Sequence, residues 1–256
     1  MLRIERRDAV TTLTLDRPEV GNALDVELVG RLAEALAAAS ADATTRIIVI
    51  TGAGKNFSAG ADLNYMRKMR EAGVDANLAD ARRTQAVFAG IAAHPRPVIA
   101  RVNGHARGGG VGLLAAADLV VVSAEATFAF TEVRLGIVPA MIAPFVIARV
   151  GPARARRLFL TAETFSAADA LAWGLADRVV PAAELDAAVA AVAADLVKGG
   201  PVALAEAKRL VDDVVASPAT LVPELTAARI ARLRASAEAQ EGMTGFLEKR
   251  PPRWVK

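Results

Sequence analysis

Gly54-Lys-Asn-Phe-Ser-Ala-Gly-Ala-Asp62 and, about forty residues on, Val102-Asn-Gly-His-Ala-Arg-Gly-Gly-Gly-Val-Gly112 are the stretches whose reading decides the fold. Each follows an apolar, β-branched run, Ile47–Thr51 in the first case and Val98–Val102 in the second. Each precedes a segment of helical pattern, roughly 61–70 and 110–117. Strand, small-residue loop and helix in repeated succession predict an α/β protein with a largely parallel sheet. The loops also carry chemistry. Small residues let the backbone itself approach a ligand, and a helix start leaves N–H groups unpartnered where the helix dipole favours negative charge. Two such loops facing one point would offer a pair of donors to a developing oxyanion.

Working outward, Arg3–Arg6 and Val10–Leu15 flank an Arg7-Asp8-Ala9 turn and predict an antiparallel hairpin. Asp16 to Asn22 reads as a loop. Asp25 can cap a helix running to about Ser40, with Leu28, Leu32 and Leu36 on one face. Leu119–Val122 is a third buried strand, and 78–93 is helical. After about Val138 the pattern is almost wholly helical, over 140–150, 153–161, 167–173, 182–198 and 202–216, ending in one long helix over 224–247. This shift divides the chain into an α/β core, 1–200, and a helical C-terminal subdomain, 201–256.

Composition excludes several function classes. The 256 residues contain no cysteine, so disulfides and thiolate metal sites are ruled out. The two histidines, His94 and His105, have no spaced partner, and no metal site is expected. The net charge of +3 is spread among interleaved acids and bases, which gives no sign of a nucleic-acid partner. The N-terminus lacks the apolar core of a signal peptide, and Leu119–Val122 is too short to span a bilayer. A soluble cytoplasmic protein is expected. Gly52-Ala-Gly54 lacks the third glycine of a dinucleotide fingerprint, Lys55 lacks the rest of a P-loop, and no Gly-x-Ser-x-Gly elbow occurs.

Phe128-Ala-Phe-Thr-Glu-Val-Arg-Leu-Gly-Ile-Val-Pro139 places Glu132 among mostly apolar neighbours. A carboxyl in such surroundings has a raised pKa and can move protons near neutral pH. The competing expectation is an ion pair with Arg134 or Arg101.

These stretches together resemble the enoyl-CoA hydratase/isomerase (crotonase) superfamily. The matching segments are Asn56 to Leu63, Pro97 to Gly104, Gly108-Gly-Gly110, Ala117-Asp-Leu119, Phe128 to Pro139 and Phe246-Leu-Glu-Lys249, in family order over nearly the whole chain. The resemblance implies a spiral of ββα turns, a helical C-terminal trimerisation region and a homotrimer or a hexamer of two trimers. It implies that the backbone N–H groups of Ala61 and Gly109 hold the thioester oxygen of an acyl-CoA as it becomes an enolate. It makes Glu132 the acid/base and assigns coenzyme A contacts to Ala59, Ala61, Asp62, Leu63 and Asn64. Phe246 and Lys249 would reach coenzyme A across a subunit boundary, unless Phe246 is core and Lys249 a solvated charge. No cofactor beyond the substrate's coenzyme A moiety is implied.

One departure bears on the reaction. Two-glutamate hydratases of this family carry a glutamate where this chain has Gly112. A single base suits a Δ3,Δ2-enoyl-CoA isomerase. However, Gly110-Val-Gly-Leu113, Thr131 to Phe145 and Glu241 to Arg250 look closest to bacterial methylglutaconyl-CoA and isohexenylglutaconyl-CoA hydratases, which places hydratase ahead of isomerase. The substrate's own distal carboxylate would then hold the water, with Arg101, His105 and Arg107 as candidates to meet it. Tyr65, Met66, Met69 and Met141 are candidates to shape the acyl pocket. A third reading, a coenzyme A- or RNA-binding member with little catalysis, finds weak support, since the first long helix has no lysine and only Arg31.

Overall fold

The computed structural model describes residues 1–255. β1 (Leu2–Arg7) and β2 (Val10–Leu15) form the expected hairpin, turning through Asp8 at φ +53°. α1 (Val26–Ala41) begins where the sequence places it. The Asp25 carboxylate accepts the Leu28 N–H at 2.8 Å, which satisfies one of the orphan donors of the first turn. Leu28, Leu32 and Leu36 are buried on its inner face.

From β3 (Ile47–Gly52) onward the chain repeats one plan. β3 is followed by a short strand, β4 (Asn56–Ser58), and by α2 (Leu63–Glu71) and α3 (Val74–Ala92). β5 (Val98–Val102) is followed by β6 (His105–Arg107) and α4 (Gly109–Ala116). β7 (Leu119–Ser123) is followed by β8 (Thr127–Ala129), a 3-10 turn over Glu132–Leu135, α5 (Ala143–Val150) and α6 (Pro152–Thr161). The long strand of each pass joins one sheet and the short strand joins another. Later come β9 (Phe165–Ser166), α7 (Ala167–Ala172), β10 (Arg178–Val180) and α8 (Leu185–Leu196). The large sheet runs β1-β2-β3-β5-β7-β10 and the small one β4-β6-β8-β9. Among the described residues only the β1–β2 and β8–β9 pairings are antiparallel. This is the spiral of ββα turns.

Each face of the large sheet has its own core. Leu13, Ile50, Ala100 and Val122 pack toward α1, α3 and α4, and Ile47, Val49, Ile99 and Val121 pack toward Leu185 and Val189 of α8. Buried runs without polar alternation are what a parallel strand covered on both faces requires.

Two expectations need correction. The region after Val138, expected to be almost wholly helical, also holds two short strands, β9 and β10. The long helix over 224–247 is two helices, α10 (Val222–Arg234) and α11 (Ala237–Leu247). The break falls at Ser236, whose hydroxyl accepts the Ala239 N–H at 3.2 Å and so caps a new helix start. α9 (Pro201–Ala216) precedes this pair and packs against both members. Lys208 of α9 ties it to the body. Its ammonium donates to the Asp118 carboxylate at 2.8 Å and to the Ile91 carbonyl at 3.3 Å. No single helix among the described residues is long and apolar enough to cross a membrane.

Candidate active site

β4, β6 and β8 lie side by side and parallel, and each ends two or three residues before one candidate residue: Ala61, Gly109 and Glu132 respectively. The first group follows from a bridge. Leu24 donates its N–H to the Gly60 carbonyl at 2.7 Å and accepts the Asp62 N–H at 3.0 Å. In a parallel bridge the residue between those two bonds, here Ala61, turns its own N–H away. Among the described residues the Ala61 N–H has no acceptor. Gly60 is at φ +88°, and a Cβ there would stand 2.8 Å from the Arg107 carbonyl oxygen and 3.8 Å from the Gly109 nitrogen. Glycine at 60 therefore allows both the turn and the close approach of the two loops.

Gly109 opens α4, so its N–H is one of the four without an intrahelical partner. Gly108 precedes it at φ +45°, ψ −118°, with its N–H bonded to the Ala129 carbonyl at 3.0 Å. A Cβ on Gly108 would stand 2.9 Å from Oε1 of Glu132. A Cβ on Gly110 would meet the Ser58 carbonyl oxygen at 2.5 Å, and this contact packs α4 against β4.

Glu132 sits at the start of its 3-10 turn. Arg134 anchors the turn through the Ala162 carbonyl at 3.0 Å. Beneath it lies an aromatic cluster. Phe130 meets Phe159 edge-on at 5.0 Å, Phe128 stacks on Phe165 at 5.4 Å, and Phe165 lies 5.2 Å from Trp173. Such packing makes a rigid seat. The expected alternative, an ion pair, is absent. Arg134 faces Ala162, and Arg101 pairs with Asp186 at 2.7 Å. Oε2 of Glu132 is buried and has no hydrogen-bond partner among the described residues. Burial pushes the carboxyl pKa above the ordinary glutamate value.

The structure thus brings Ala61, Gly109 and Glu132 together. Leu63 and Asn64 are exposed on α2, and Ala59 is held by its N–H on the Gly21 carbonyl at 2.8 Å. Asp62 is buried. Its Oδ1 accepts the N–H groups of Asn64 and Tyr65 at 2.8 and 3.2 Å, and its Oδ2 meets Arg17 at 2.9 Å. A cleft of about 290 Å3 opens beside them between the starts of α1 and α2, lined by Val26, Asn64, Tyr65 and Lys68 among others. Phe246 and Lys249 lie elsewhere. α11 packs on α9 and α10 and leaves the Phe246 ring 83% exposed, and Lys249 is exposed at φ +54°.

The three residues considered for a distal carboxylate are occupied otherwise. His105 Nδ1 lies 2.9 Å from Thr127 Oγ1, and Arg107 donates to the carbonyl and hydroxyl of Thr127 at 2.6 and 2.9 Å. Arg101 lines a cavity of about 870 Å3 on the other face of the large sheet, which Ala61, Gly109 and Glu132 do not line. The Tyr65 hydroxyl donates to the Asp80 carboxylate, while Met141 packs half-buried against the core. No group of three or more His, Asp or Glu side chains among the described residues is placed to hold a metal ion.

Two residues of the Asp16–Asn22 loop support the site without having been singled out in the sequence. They are Arg17 and the fully buried Asn22, whose amide donates to the Ala53 and Asn56 carbonyls at 2.8 Å each. The signal was available in part, since an asparagine between a glycine and an apolar run is a turn former, and Asn22 does take positive φ (+58°). Its long-range partners were not.

A family model described as enoyl-CoA hydratase/isomerase matches residues 5–256. The 2,3-dehydroadipyl-CoA hydratase of Escherichia coli is 35% identical, over 98% of this chain and 97% of its own. The crotonyl-CoA hydratase of Syntrophomonas wolfei is 32% identical, over 98% and 96%. The crystal structure of an enoyl-CoA hydratase from Shewanella pealeana superposes with a TM-score of 0.96 at 35% identity, covering 99% of this chain and 95% of that one.

Proposed function

The chain belongs to the enoyl-CoA hydratase/isomerase family, and we propose from this and from its site that it adds water across the 2,3 double bond of a 2-enoyl-CoA. Hydratase, a hydro-lyase, is the class its relatives' names carry. One observation carries the reading at the site: an unpaired, half-buried carboxylate stands against the loop that presents a free N–H, with a second free N–H alongside.

In this reading the thioester oxygen accepts from Ala61 and Gly109. Water attacks C3, its proton passes to the Glu132 carboxylate, and the electron pair of the double bond moves onto the thioester as an enolate. Glu132 then returns the proton to C2. Oxygen and hydrogen are delivered by one residue, so both add to the same face. Fixed donors aimed at the developing charge lower the barrier because they need no reorganisation, and losing one costs about 10²–10³ in rate in other enzymes. The substrate's coenzyme A lies along 59–64, with the cleft beside Asn64 and Lys68 open to its nucleotide end. Phe246 and Lys249 serve a neighbouring subunit. The exposed Val215, Leu221, Phe246 and Leu247 of the C-terminal region support association into a trimer, or a hexamer of two trimers.

The finer reading is a substrate of methylglutaconyl type, whose distal carboxylate holds the water. The relative named for 2,3-dehydroadipyl-CoA, an acyl group ending in a carboxylate, supports it. With Arg101, His105 and Arg107 turned to other partners, this carboxylate would be met by the water rather than by those side chains.

The second reading, Δ3,Δ2-isomerisation, is favoured by the single base at Glu132. Mass spectrometry of products from crotonyl-CoA, 3-methylglutaconyl-CoA and a 3-enoyl-CoA separates these. Gain of one water on a 2-enoyl ester is expected. Equal hydration of the crotonyl and methylglutaconyl esters removes the distal-carboxylate role, and conversion of the 3-enoyl ester at unchanged mass without hydration replaces hydratase by isomerase.

A further inference from the structure

We propose that Arg17 is a positioning residue that holds the Ala61 N–H in place for the reaction. The inference rests on the reading of Ala61 as an oxyanion donor. Arg17 forms part of the wall of the cleft beside Asn64 and Lys68, and the Ala61 N–H lies beyond its direct hydrogen bonds. Its side chain is 19% exposed, and its guanidinium reaches three oxygens. Nη1 donates to the Ala23 carbonyl at 2.7 Å and lies 3.0 Å from the Asp25 carboxylate, while Nη2 donates to Asp62 at 2.9 Å.

Each of these partners bears on Ala61. Asp62 is the next residue, and its other oxygen caps α2. Ala23 precedes Leu24, whose two backbone bonds grip the chain on either side of Ala61. Asp25 caps α1. One planar cation therefore joins the starts of two helices to both strands of the bridge that aims the Ala61 N–H.

The base of this brace is itself fixed. Arg17 donates its N–H to Asn22 Oδ1 at 3.0 Å and accepts the Asn22 N–H at 2.8 Å, and Asn22 is pinned to the β3–β4 turn. The part being held has freedom to lose, since Gly60 at φ +88° imposes no side-chain restraint on the 60–61 peptide. Removing the cation leaves the Asp25 and Asp62 carboxylates to repel one another across a gap that no other described ion pair bridges. The fork geometry is an arginine property, because a lysine ammonium is a point charge that cannot span all three acceptors.

The test compares wild type, Arg17→Met, Arg17→Lys and Asp62→Asn. It uses kcat and KM on the best 2-enoyl-CoA, and the affinity for two probes: butyryl-CoA, a saturated thioester, and acetoacetyl-CoA, whose enolate is followed by its ultraviolet absorption. For Arg17→Met, kcat and enolate affinity should fall about 10- to 100-fold while KM and butyryl-CoA affinity change less than about threefold. Arg17→Lys should recover part of the loss, and Asp62→Asn should follow Arg17→Met in direction. Equal weakening of both probes would make Arg17 a builder of the binding cleft or of the fold, and undiminished kcat and enolate selectivity would remove it from the site. Either result overturns the proposal. A wild type that neither hydrates nor prefers the enolate would instead defeat the oxyanion reading on which it rests.

Discussion

Gly112 lies directly beneath Ile142. A Cβ on Gly112 would stand 2.2 Å from Ile142 Cγ2, 2.9 Å from its Cβ and 3.1 Å from a ring carbon of Phe88. The space beside Gly112, where the family resemblance would put a second glutamate, is thus filled by an alkyl side chain. Gly112→Glu should destabilise the fold by about 3 kcal/mol through overpacking, with no gain in hydration rate. Adding Ile142→Ala should recover more than half of that, since touching sites are not additive. Denaturant unfolding and initial rates of the single and double variants check both points.

In the proposed mechanism Glu132 takes a proton from water and must be ionised to do so, and burial raises its pKa. The kcat/KM of the wild type should therefore rise with pH through a midpoint above the ordinary glutamate value of 4.5 and then level off. Glu132→Gln should lower kcat by about 10²–10⁴ while acyl-CoA still binds. Linkage adds a sign. A raised carboxyl stabilises the fold below its unfolded pKa and loses that contribution as pH rises through its folded value, so the neutral glutamine variant should melt no lower than wild type at pH 8. A midpoint at or below 4.5 would count against burial as the tuning device.

Gly108→Ala combines two penalties. The backbone at φ +45° disfavours an L side chain, and the new methyl would push on Glu132 Oε1 from 2.9 Å. kcat should drop about 100-fold with a smaller change in KM, because a displaced base costs orientation rather than binding. Steady-state kinetics with a thermal melt to confirm folding distinguish this from collapse.

Lys208→Met leaves Asp118 half-buried without its cation, where burial already holds its pKa up. The loss should be about 2–3 kcal/mol at pH 8. It should shrink at pH 5, since removing the ammonium raises the Asp118 pKa further and protonation relieves the unpaired charge. Chemical denaturation at the two pH values measures the difference, and an equal loss at both would show that packing, not charge, docks α9.

Much of the large sheet was legible because its strands are long enough to show composition. Ile47–Gly52, Val98–Val102 and Leu119–Ser123 announce themselves, and Asp25 marks a helix start. The small sheet was not, because β4, β6 and β8 have three residues each, too few for a period, and they sit inside stretches whose glycines read as loops. Ser236 was a visible cap in an alanine-rich run that otherwise continues a helical pattern. Of the site, the glycines and Glu132 could be named from order and spacing. That Glu132 lacks a cation among the described residues, that Ile142 fills the space over Gly112, and that Arg17 reaches Asp62 across 45 positions are consequences of packing, which local sequence does not encode.

The three neighbouring short strands act as a ruler. Adjacent strands stand about 4.8 Å apart, so groups carried just past the ends of β4, β6 and β8 come pre-spaced at roughly molecular intervals. In the proposed reading, two of those ends hold the thioester with backbone alone, and the third supplies the side chain that moves the proton. On that reading, activation of the ester and choice of reaction are carried by separate strand ends. An exchange at the end of β8, or of the residues packed beside it, can redirect the protons of a bound enolate while the grip on that enolate stays the same.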